Sequence, residues 1–286
     1  MIAALRRYTR LVALPHTVFA LPFALGAAAL AFRQTHVELT LARCGFILLA
    51  VAAARTAAMA FNRLVDRRFD AANPRTLARE LPRGEITPAG ALALTACAAA
   101  LFVFAAARLG PWPLALSPLA LIILLGYSLA KRFTWATHFW LGLALGGAPA
   151  GAWIAVSGRF GWAPLALSLA VATWVAGFDL IYSCQDRAFD ASHALGSVPA
   201  RFGIAAALKL SSALHVLTIV GLLAFGLLLH LGWVYYVGTA AILLTLIWEH
   251  RLVSPSDLSR VDKAFFDLNG YVSLLFGACA AFEALR

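Results

Sequence analysis

The segment 62–75, NRLVDRRFDAANPR, places two aspartates and four arginines directly after a long, almost entirely apolar run. A second segment, 185–192, reads QDRAFDAS and also follows an apolar run, so the pattern Asp-Arg-x-Phe-Asp-Ala occurs twice. Ionisable residues are costly within a membrane and usually mark a functional site there. The two segments therefore predict one polar site that is built from two similar helix ends.

The composition indicates that lipid surrounds most of the chain. Of 286 residues, 62% are hydrophobic and only 13% are charged, which is more apolar surface than a soluble protein of this size can bury. A membrane-spanning helix needs about 20 apolar residues, and barrel strands are shorter and alternate. We predict an all-α membrane protein, a single domain over 1–286, with about nine transmembrane helices at 11–32, 41–65, 88–107, 113–130, 138–156, 162–184, 205–229, 233–252 and 265–284.

The first apolar run follows Arg6, Arg7 and Arg10, as the apolar core of a signal peptide would. However, it is long, contains Pro15 and Pro22, and begins a series of similar runs. We therefore interpret it as an uncleaved first span.

The basic residues predict the orientation of the spans. The chain has a net charge of +10, and 17 of its 23 lysines and arginines lie in the N-terminal segment and around the loops after spans two, four, six and eight. Five lie on the opposite side, and Arg55 lies within span two. This asymmetry predicts a multi-pass protein with a cytoplasmic N-terminus and both acidic segments facing the cytoplasm. We expect the membrane to be a bacterial-type inner or plasma membrane. It also explains the basic charge without a nucleic-acid partner.

Helical geometry groups the polar residues of each segment. At 100° per residue, Asn62, Asp66 and Asp70 lie at about 0°, 40° and 80°, and Arg55 joins them at about −20°. Around the second segment, Asp179, Asp186 and Asp190 lie at about 0°, −20° and 20°. Two facing sets of carboxylates would repel each other unless cations lay between them.

Clustered carboxylates suit Mg²⁺, which is typically held in proteins by a few carboxylates together with substrate phosphates. Neighbouring basic residues could hold the phosphate charge that the metal leaves uncompensated; these are Arg63, Arg67, Arg68, Lys131 and Arg132. The pattern therefore predicts a two-sided magnesium clamp for a diphosphate that carries a lipid tail.

At these residues the sequence resembles the UbiA family of intramembrane prenyltransferases. The family motif Asn-x-x-x-Asp-x-x-x-Asp matches Asn62, Asp66 and Asp70, and its second motif matches Asp186 and Asp190, with Asp179 upstream. The segment YSLAKRFT at 127–134 resembles the family loop that carries Lys131, and RTAAMAFN at 55–62 matches the family arginine at Arg55.

The resemblance implies an aromatic prenyltransferase. Asn62, Asp66, Asp70, Asp186 and Asp190 would bind Mg²⁺, the four motif aspartates and Asp179 would carry the catalysis, and Lys131, Arg63 and Arg67 would bind the polyprenyl diphosphate. Arg55 and Asp179 would bind a small aromatic acid. An allylic carbon that loses diphosphate would be attacked by the ring, commonly ortho to a hydroxyl.

Several segments resemble the hydroxybenzoate-like bacterial enzymes, and most of all the members that act on 1,4-dihydroxy-6-naphthoate in the futalosine route to menaquinone. These segments are HTVFALPFAL at 16–25, MAFNRLVDRRFDAANPRT at 59–76, GFDLIYSCQDRAFD at 177–190 and SVPARFG at 197–203. One departure is Glu80, which stands where the family usually has proline or histidine. The resemblance leaves 4-hydroxybenzoate open as the acceptor, with ubiquinone as the end product.

An ion- or proton-coupled transporter and a different membrane transferase are the two alternative functions. An ion- or proton-coupled transporter would use intramembrane Asp and Arg residues near the bilayer midplane, whereas most of the acidic residues here lie at span ends. A CDP-alcohol phosphotransferase would carry a longer Asp-x-x-Asp-Gly signature, which the sequence lacks.

Overall fold

The structure is a computed structural model that describes residues 8, 11, 17–37 and 40–286. Within these residues nine long helices follow one another: α1 (Thr17–Thr35), α2 (Leu41–Ala72), α3 (Pro88–Leu109), α4 (Pro111–Ala130), α5 (Thr137–Ser157), α6 (Trp162–Ser183), then, after short helices α7 (Arg187–Ser192) and α8 (Val198–Phe202), α9 (Ile204–Leu228), α10 (Trp233–Arg251) and α11 (Asn269–Leu285). A helical turn, Val261–Lys263, and a π-helical segment, Ala264–Leu268, lead into α11. The all-α prediction is confirmed.

Seven helical segments in the described part of the chain are long and apolar enough to cross a membrane. They include α2 to α5 and α9, as well as the continuous stretches Trp162–Ser192 and Val261–Leu285. Large apolar side chains on these helices, such as Ile122 of α4 and Leu227 of α9, each at 65% exposure, face outward. This arrangement is the expected one for helices surrounded by lipid, and the chain is a multi-pass membrane protein.

Local sequence signals explain where several helices begin and end. The hydroxyl of Thr40 accepts a hydrogen bond from the Arg43 N–H at 3.2 Å, and Thr87 caps α3 in the same way, one residue before Pro88. Helix α5 ends at Gly158, which has a φ of 66°.

Two predicted span boundaries differ from the structure at the polar ends. The first helix continues to Thr35, and residues 12–16 of the predicted span lie outside the described residues. Helix α2 continues past residue 65 to Ala72. Because it does, Asn62, Asp66 and Asp70 belong to one uninterrupted helix.

Helices that follow one another in the sequence pack side by side from α2 to α6, and the series continues through α9, α10 and α11. Helix α1 packs against α5 and α11. Aromatic side chains fill the centre: Phe23 stacks on Phe276 at 4.3 Å, and the fully buried Trp174 lies 5.1 Å from Phe23. The acidic ends of α2 and α6 are thus held on a rigid helical frame.

Glycines allow α5 and α6 to approach closely. A Cβ atom at Gly142 would lie 2.3 Å from the Ala172 carbonyl oxygen, and one at Gly146 would lie 2.7 Å from that of Ser168. Small residues at such positions are typical of closely packed membrane helices. Gly147 and Gly151, which have the same spacing, instead face open space.

Candidate active site

The first acidic helix end is neutralised by basic residues of the loop after α4. Asp66 is 3% exposed, and its Oδ2 lies 2.8 Å from Lys131 Nζ while its Oδ1 lies 2.9 Å from an Arg132 amino group. Asn62 donates to Asp66 Oδ2 at 3.2 Å, one helical turn away. Arg132 also donates to the Val65 carbonyl at 2.8 Å, so the loop is anchored on the end of α2.

Asp70 lies one turn farther along α2 and is 5% exposed. Arg79, from the loop after α2, donates to its Oδ1 at 2.7 Å. The other carboxylate oxygen, Oδ2, is buried and has no hydrogen-bond partner among the described residues. A buried carboxylate oxygen of this kind is available to a cation.

The second acidic helix end contacts the loop that follows the first. Helix α6 ends at Ser183, and Asp186 closes a 3₁₀ turn, Cys184–Asp186. Asp186 Oδ1 accepts hydrogen bonds from Arg75 Nε at 3.0 Å and from Asn73 Nδ2 at 3.2 Å. Direct side-chain contacts therefore join Asp186 of the second motif to the loop that follows the first motif.

Arg75 also bonds to a second residue at this junction. Its guanidinium donates to the hydroxyl of Tyr182 at 2.9 Å and lies over that ring at 5.2 Å. Burial tends to lower the pKa of Arg75, but the hydrogen bonds and charges of Asp186 and Tyr182 outweigh it and raise that pKa above its ordinary value. Arg75 therefore remains a fixed cation on Asp186.

The expected continuous stripe of Asp179, Asp186 and Asp190 needs correction. The 3₁₀ turn has 3.0 residues per turn rather than 3.6, so it shifts the phase between α6 and α7. Asp179 bonds to His138 Nδ1 at 2.6 Å. Asp190, in α7, interacts electrostatically with Asp186 and Lys131. Lys131 thus pairs with Asp66 of the first motif and also interacts electrostatically with Asp190 of the second.

The predicted metal clamp is not assembled as a coordination shell. Among the described residues, no three His, Cys, Asp or Glu side chains are grouped so that they could hold a metal ion. Three of the motif carboxylates instead pair with basic side chains: Asp66 with Lys131 and Arg132, Asp70 with Arg79, and Asp186 with Arg75. The carboxylate and amide oxygens nevertheless have the chemistry that Mg²⁺ requires, and Asp70 Oδ2 is free to receive it.

The remaining basic residues lie in different surroundings. Arg63 is half-buried and interacts electrostatically with Asp70, Arg79 and Tyr127. Arg55, two turns before Asn62, has Tyr127 and Arg63 as its main electrostatic neighbours. Because it precedes Asn62 by about two helical turns, it lies farther from the polar end of α2 than the carboxylates do.

Arg67 is exposed and donates to the Leu64 carbonyl of its own helix at 2.9 Å. It is not among the described residues that line the cavity beside the motifs. The structure thus brings Arg63 near the acidic site and leaves Arg67 on the surface.

A cavity of about 570 Å³ lies between the loop after α4 and the segment from α7 to α8. Lys131 and Arg132 form one wall, and Asp190, Ser197 and Arg201 lie on the opposite side. The Gly196 N–H donates to the Lys131 carbonyl at 2.6 Å, so the two walls are connected. The same two basic residues that hold Asp66 therefore also face this cavity.

Several functional candidates were missed by the sequence analysis. Asn73, Arg75 and Arg79 contact the motif carboxylates directly. The sequence did contain a signal, because these residues belong to the polar loop that follows the first motif. His138 was not among the predicted site residues, yet it contacts Asp179, which is 41 residues away.

A sequence profile described as the UbiA prenyltransferase family matches residues 20–272. The chain belongs to the UbiA prenyltransferase family. The predicted enzyme class, a membrane prenyltransferase, is thereby confirmed.

Among related UbiA proteins, the chain is 33% identical over 233 residues to 4-hydroxybenzoate polyprenyltransferase, mitochondrial, of Caenorhabditis elegans; the match covers 81% of this chain and 65% of that protein, just under two thirds. It is 28% identical over 222 residues to 4-hydroxybenzoate octaprenyltransferase of Nitrosospira multiformis, covering 78% of this chain and 76% of that one.

Solved structures agree with this UbiA assignment. The apo structure of a UbiA homolog from Aeropyrum pernix K1 has a TM-score of 0.84 and 38% identity, over 92% of this chain and 96% of that one. A UbiA homolog from Archaeoglobus fulgidus, bound to GPP and Mg²⁺, has a TM-score of 0.77 and 23% identity, over 98% of this chain and all of that one. At that identity the second comparison shows the shared fold.

Proposed function

We propose that this UbiA protein transfers a polyprenyl group from a polyprenyl diphosphate to a hydroxylated aromatic acid in quinone biosynthesis. The main observation in support is that Lys131 and Arg132 pair with Asp66 and also line a cavity together with Asp190. We place this site on the cytoplasmic face of a bacterial-type inner membrane, with 1–286 as one UbiA-like unit. The family assignment favours this transfer over the alternative of a transporter.

Mg²⁺ fits the site by its donor chemistry and by the free oxygen of Asp70. Asn62, Asp66 and Asp70 would hold it on one side, and Asp186 and Asp190 on the other. When bound, it would stabilise the negative charge of the leaving diphosphate. A UbiA homolog of known structure is described as bound to GPP and Mg²⁺, which supports the same pairing here.

The basic residues of the chain would bind the diphosphate. Lys131 and Arg63 would stabilise its negative charge as the bond between the allylic carbon and oxygen breaks and the electron pair leaves with diphosphate. A ring carbon ortho to the hydroxyl forms the new carbon–carbon bond, and the proton of that ring carbon is released to solvent. For Arg67 this role is the weakest of the three, because its side chain is turned back onto α2.

The acceptor would lie deeper than the diphosphate. Arg55 would pair with the acceptor's carboxylate through its planar guanidinium, and Asp179, whose side chain is 23% exposed, would accept a hydrogen bond from a ring hydroxyl. This orientation presents the electron-rich carbon beside the hydroxyl to the allylic carbon.

Two acceptors are consistent with these roles. Curated relatives named for 4-hydroxybenzoate support that acid and a ubiquinone-type product. The segments described above instead favour 1,4-dihydroxy-6-naphthoate and menaquinone. Both acids carry a carboxylate and a ring hydroxyl, so both would use Arg55 and Asp179.

Mass spectrometry of the products would test the proposal. The purified protein in lipid vesicles would receive a polyprenyl diphosphate, Mg²⁺ and one of three acids: 4-hydroxybenzoate, 1,4-dihydroxy-6-naphthoate or benzoate. We expect a prenylated product from one of the hydroxylated acids, none from benzoate and none after addition of EDTA. Prenylation of neither hydroxylated acid would refute the proposed function.

A further inference from the structure

We infer that His138 is a positioning residue that fixes Asp179 for the acceptor's ring hydroxyl; this inference rests on the proposed function. His138 lies in the first turn of α5, Asp179 lies near the end of α6, and neither belongs to the other's helix. His138 is 1% exposed, so solvent cannot replace its hydrogen bonds.

The hydrogen bonds define the tautomer of His138. Its Nε2 lies 3.3 Å from the backbone nitrogen of Val198, which can only donate, so Nε2 is the acceptor. The ring proton of the neutral imidazole is therefore on Nδ1, which lies 2.6 Å from Asp179 Oδ2. Both ring nitrogens are engaged, and the ring has no spare group with which to act as a base.

This arrangement leaves Asp179 with a defined role. One carboxylate oxygen, Oδ2, is held by His138, while the side chain retains 23% exposure. The second oxygen can then accept a hydrogen bond from a substrate hydroxyl. Without His138 the carboxylate could rotate, and the same oxygen would no longer be presented in a fixed direction.

His138 also connects Asp179 with the cavity wall. Val198 begins α8, directly after Ser197, which lines the cavity and lies within hydrogen-bond reach of Asp190. The imidazole thus joins the acceptor side of the site, at Asp179, to the segment that carries the cavity's far wall. A hydrophobic residue at position 138 would break both contacts.

The test uses full-length protein and three substitutions at this position. His138→Asn keeps an N–H donor at the same distance along the side chain as Nδ1, His138→Gln moves the donor one bond farther, and His138→Leu removes it. We expect His138→Leu to raise the KM for the aromatic acid about tenfold, the effect of losing one hydrogen bond to a charged group. The KM for the prenyl diphosphate should change less than about twofold, because its proposed partners are untouched.

The conservative variants His138→Asn and His138→Gln test whether a side-chain N–H donor at position 138 restores binding of the acid. His138→Asn should restore the acid KM to near the wild-type value, and His138→Gln should restore it less. Since His138 acts through Asp179, His138→Leu combined with Asp179→Asn should be no worse than Asp179→Asn alone. If His138→Leu does not fold, the acid KM values of His138→Asn and His138→Gln test the inference instead.

Three outcomes would overturn the inference while wild-type protein still prenylates its acid. They are additive increases in the acid KM in the double variant, an increase in the prenyl diphosphate KM in His138→Leu, and equal acid KM values for His138→Asn and His138→Gln. Calorimetric titration of wild-type protein with the acid alone separates the two proposals. Wild-type protein that neither binds nor prenylates any acid would overturn both the proposed function and the role of His138.

Discussion

Arg75 Nε lies 3.0 Å from Asp186 Oδ1, although 111 residues separate the two in the chain. The contact joins the loop after α2 to the end of α6 and occupies a carboxylate that was predicted to bind metal. The Arg75 guanidinium therefore occupies the carboxylate that is proposed to bind Mg²⁺.

Replacing Arg75 should expose Asp186 to metal. Arg75→Gln removes the competing charge, so Mg²⁺ binding in the absence of prenyl diphosphate should tighten about tenfold, the value of one charge-assisted hydrogen bond. Calorimetric titration of the purified protein with MgCl₂ measures this. Arg67→Gln serves as the control, since Arg67 bonds to its own helix. Equal affinities for the Arg75 variant and the control would show that the ion pair does not restrain Asp186.

The motif carboxylates should be required for turnover. Asp66→Asn and Asp186→Asn preserve size but remove the charge that would hold a metal, so prenyl transfer should fall by at least about a hundredfold. Product formation and the unfolding temperature would be measured together. Asp262→Asn, at an exposed acid in the turn before α11, should behave like wild type. Near-normal, magnesium-dependent transfer by either motif variant would contradict the assignment.

Removal of divalent metal should stop catalysis without unfolding the protein. Asp66, Asp70 and Asp186 are each paired with basic side chains of the chain itself, so they do not need a metal to offset their repulsion. We expect EDTA to abolish turnover and to shift the unfolding temperature by less than about 2 °C in the absence of substrate. A large fall in that temperature would mean that the metal is a structural component.

Substitutions at Lys131 and Arg55 should affect different substrates. Lys131→Gln should raise the KM for the prenyl diphosphate about tenfold, because it removes one charged contact to phosphate. Arg55→Lys should raise the KM for the aromatic acid, because lysine keeps the charge but loses the planar fork. Lys263→Gln, outside the site, is the control for charge. If Lys131→Gln changed only the acid KM, or Arg55→Lys left it unaltered, this division of roles would be wrong.

Close packing of α5 on α6 should depend on Gly142 and not on Gly147. Gly142→Ala places a methyl group 2.3 Å from the Ala172 carbonyl and should lower the free energy of unfolding by about 1–3 kcal/mol. Gly147→Ala faces open space and should change it by less than about 1 kcal/mol. Denaturant titration in detergent compares the two. Equal stabilities would indicate that the helices can separate at this point.

The membrane helices could be predicted from the sequence because bilayer thickness sets the length of an apolar run. The ends of the helices were harder to predict. Polar residues continued α2 to Ala72, since Asp66 and Asp70 are stabilised there by Lys131, Arg132 and Arg79. Apolarity alone carries no information about such contacts.

The site residues were predicted in type but not in pairing. Spacing along a helix placed Asn62, Asp66 and Asp70 on one face, and the Asn62–Asp66 contact agrees with it. Spacing could not show that Asp186 meets Arg75 or that Asp179 meets His138, because those contacts depend on how distant helices pack. For the same reason, two pairs of glycines with equal spacing in α5 have different surroundings.

The ion pairs of the acidic site also bear on product release. Arg75 and Lys131 are attached to the same frame as Asp186 and Asp66, so their effective concentration at those carboxylates is high. They would compete continuously with any bound metal diphosphate, and they would return to the carboxylates as soon as it dissociates. The free diphosphate left after transfer no longer carries a prenyl chain, so it is no longer anchored in the membrane. Under the proposed function, the pairing would therefore favour release of diphosphate and restore the site before the next prenyl diphosphate binds.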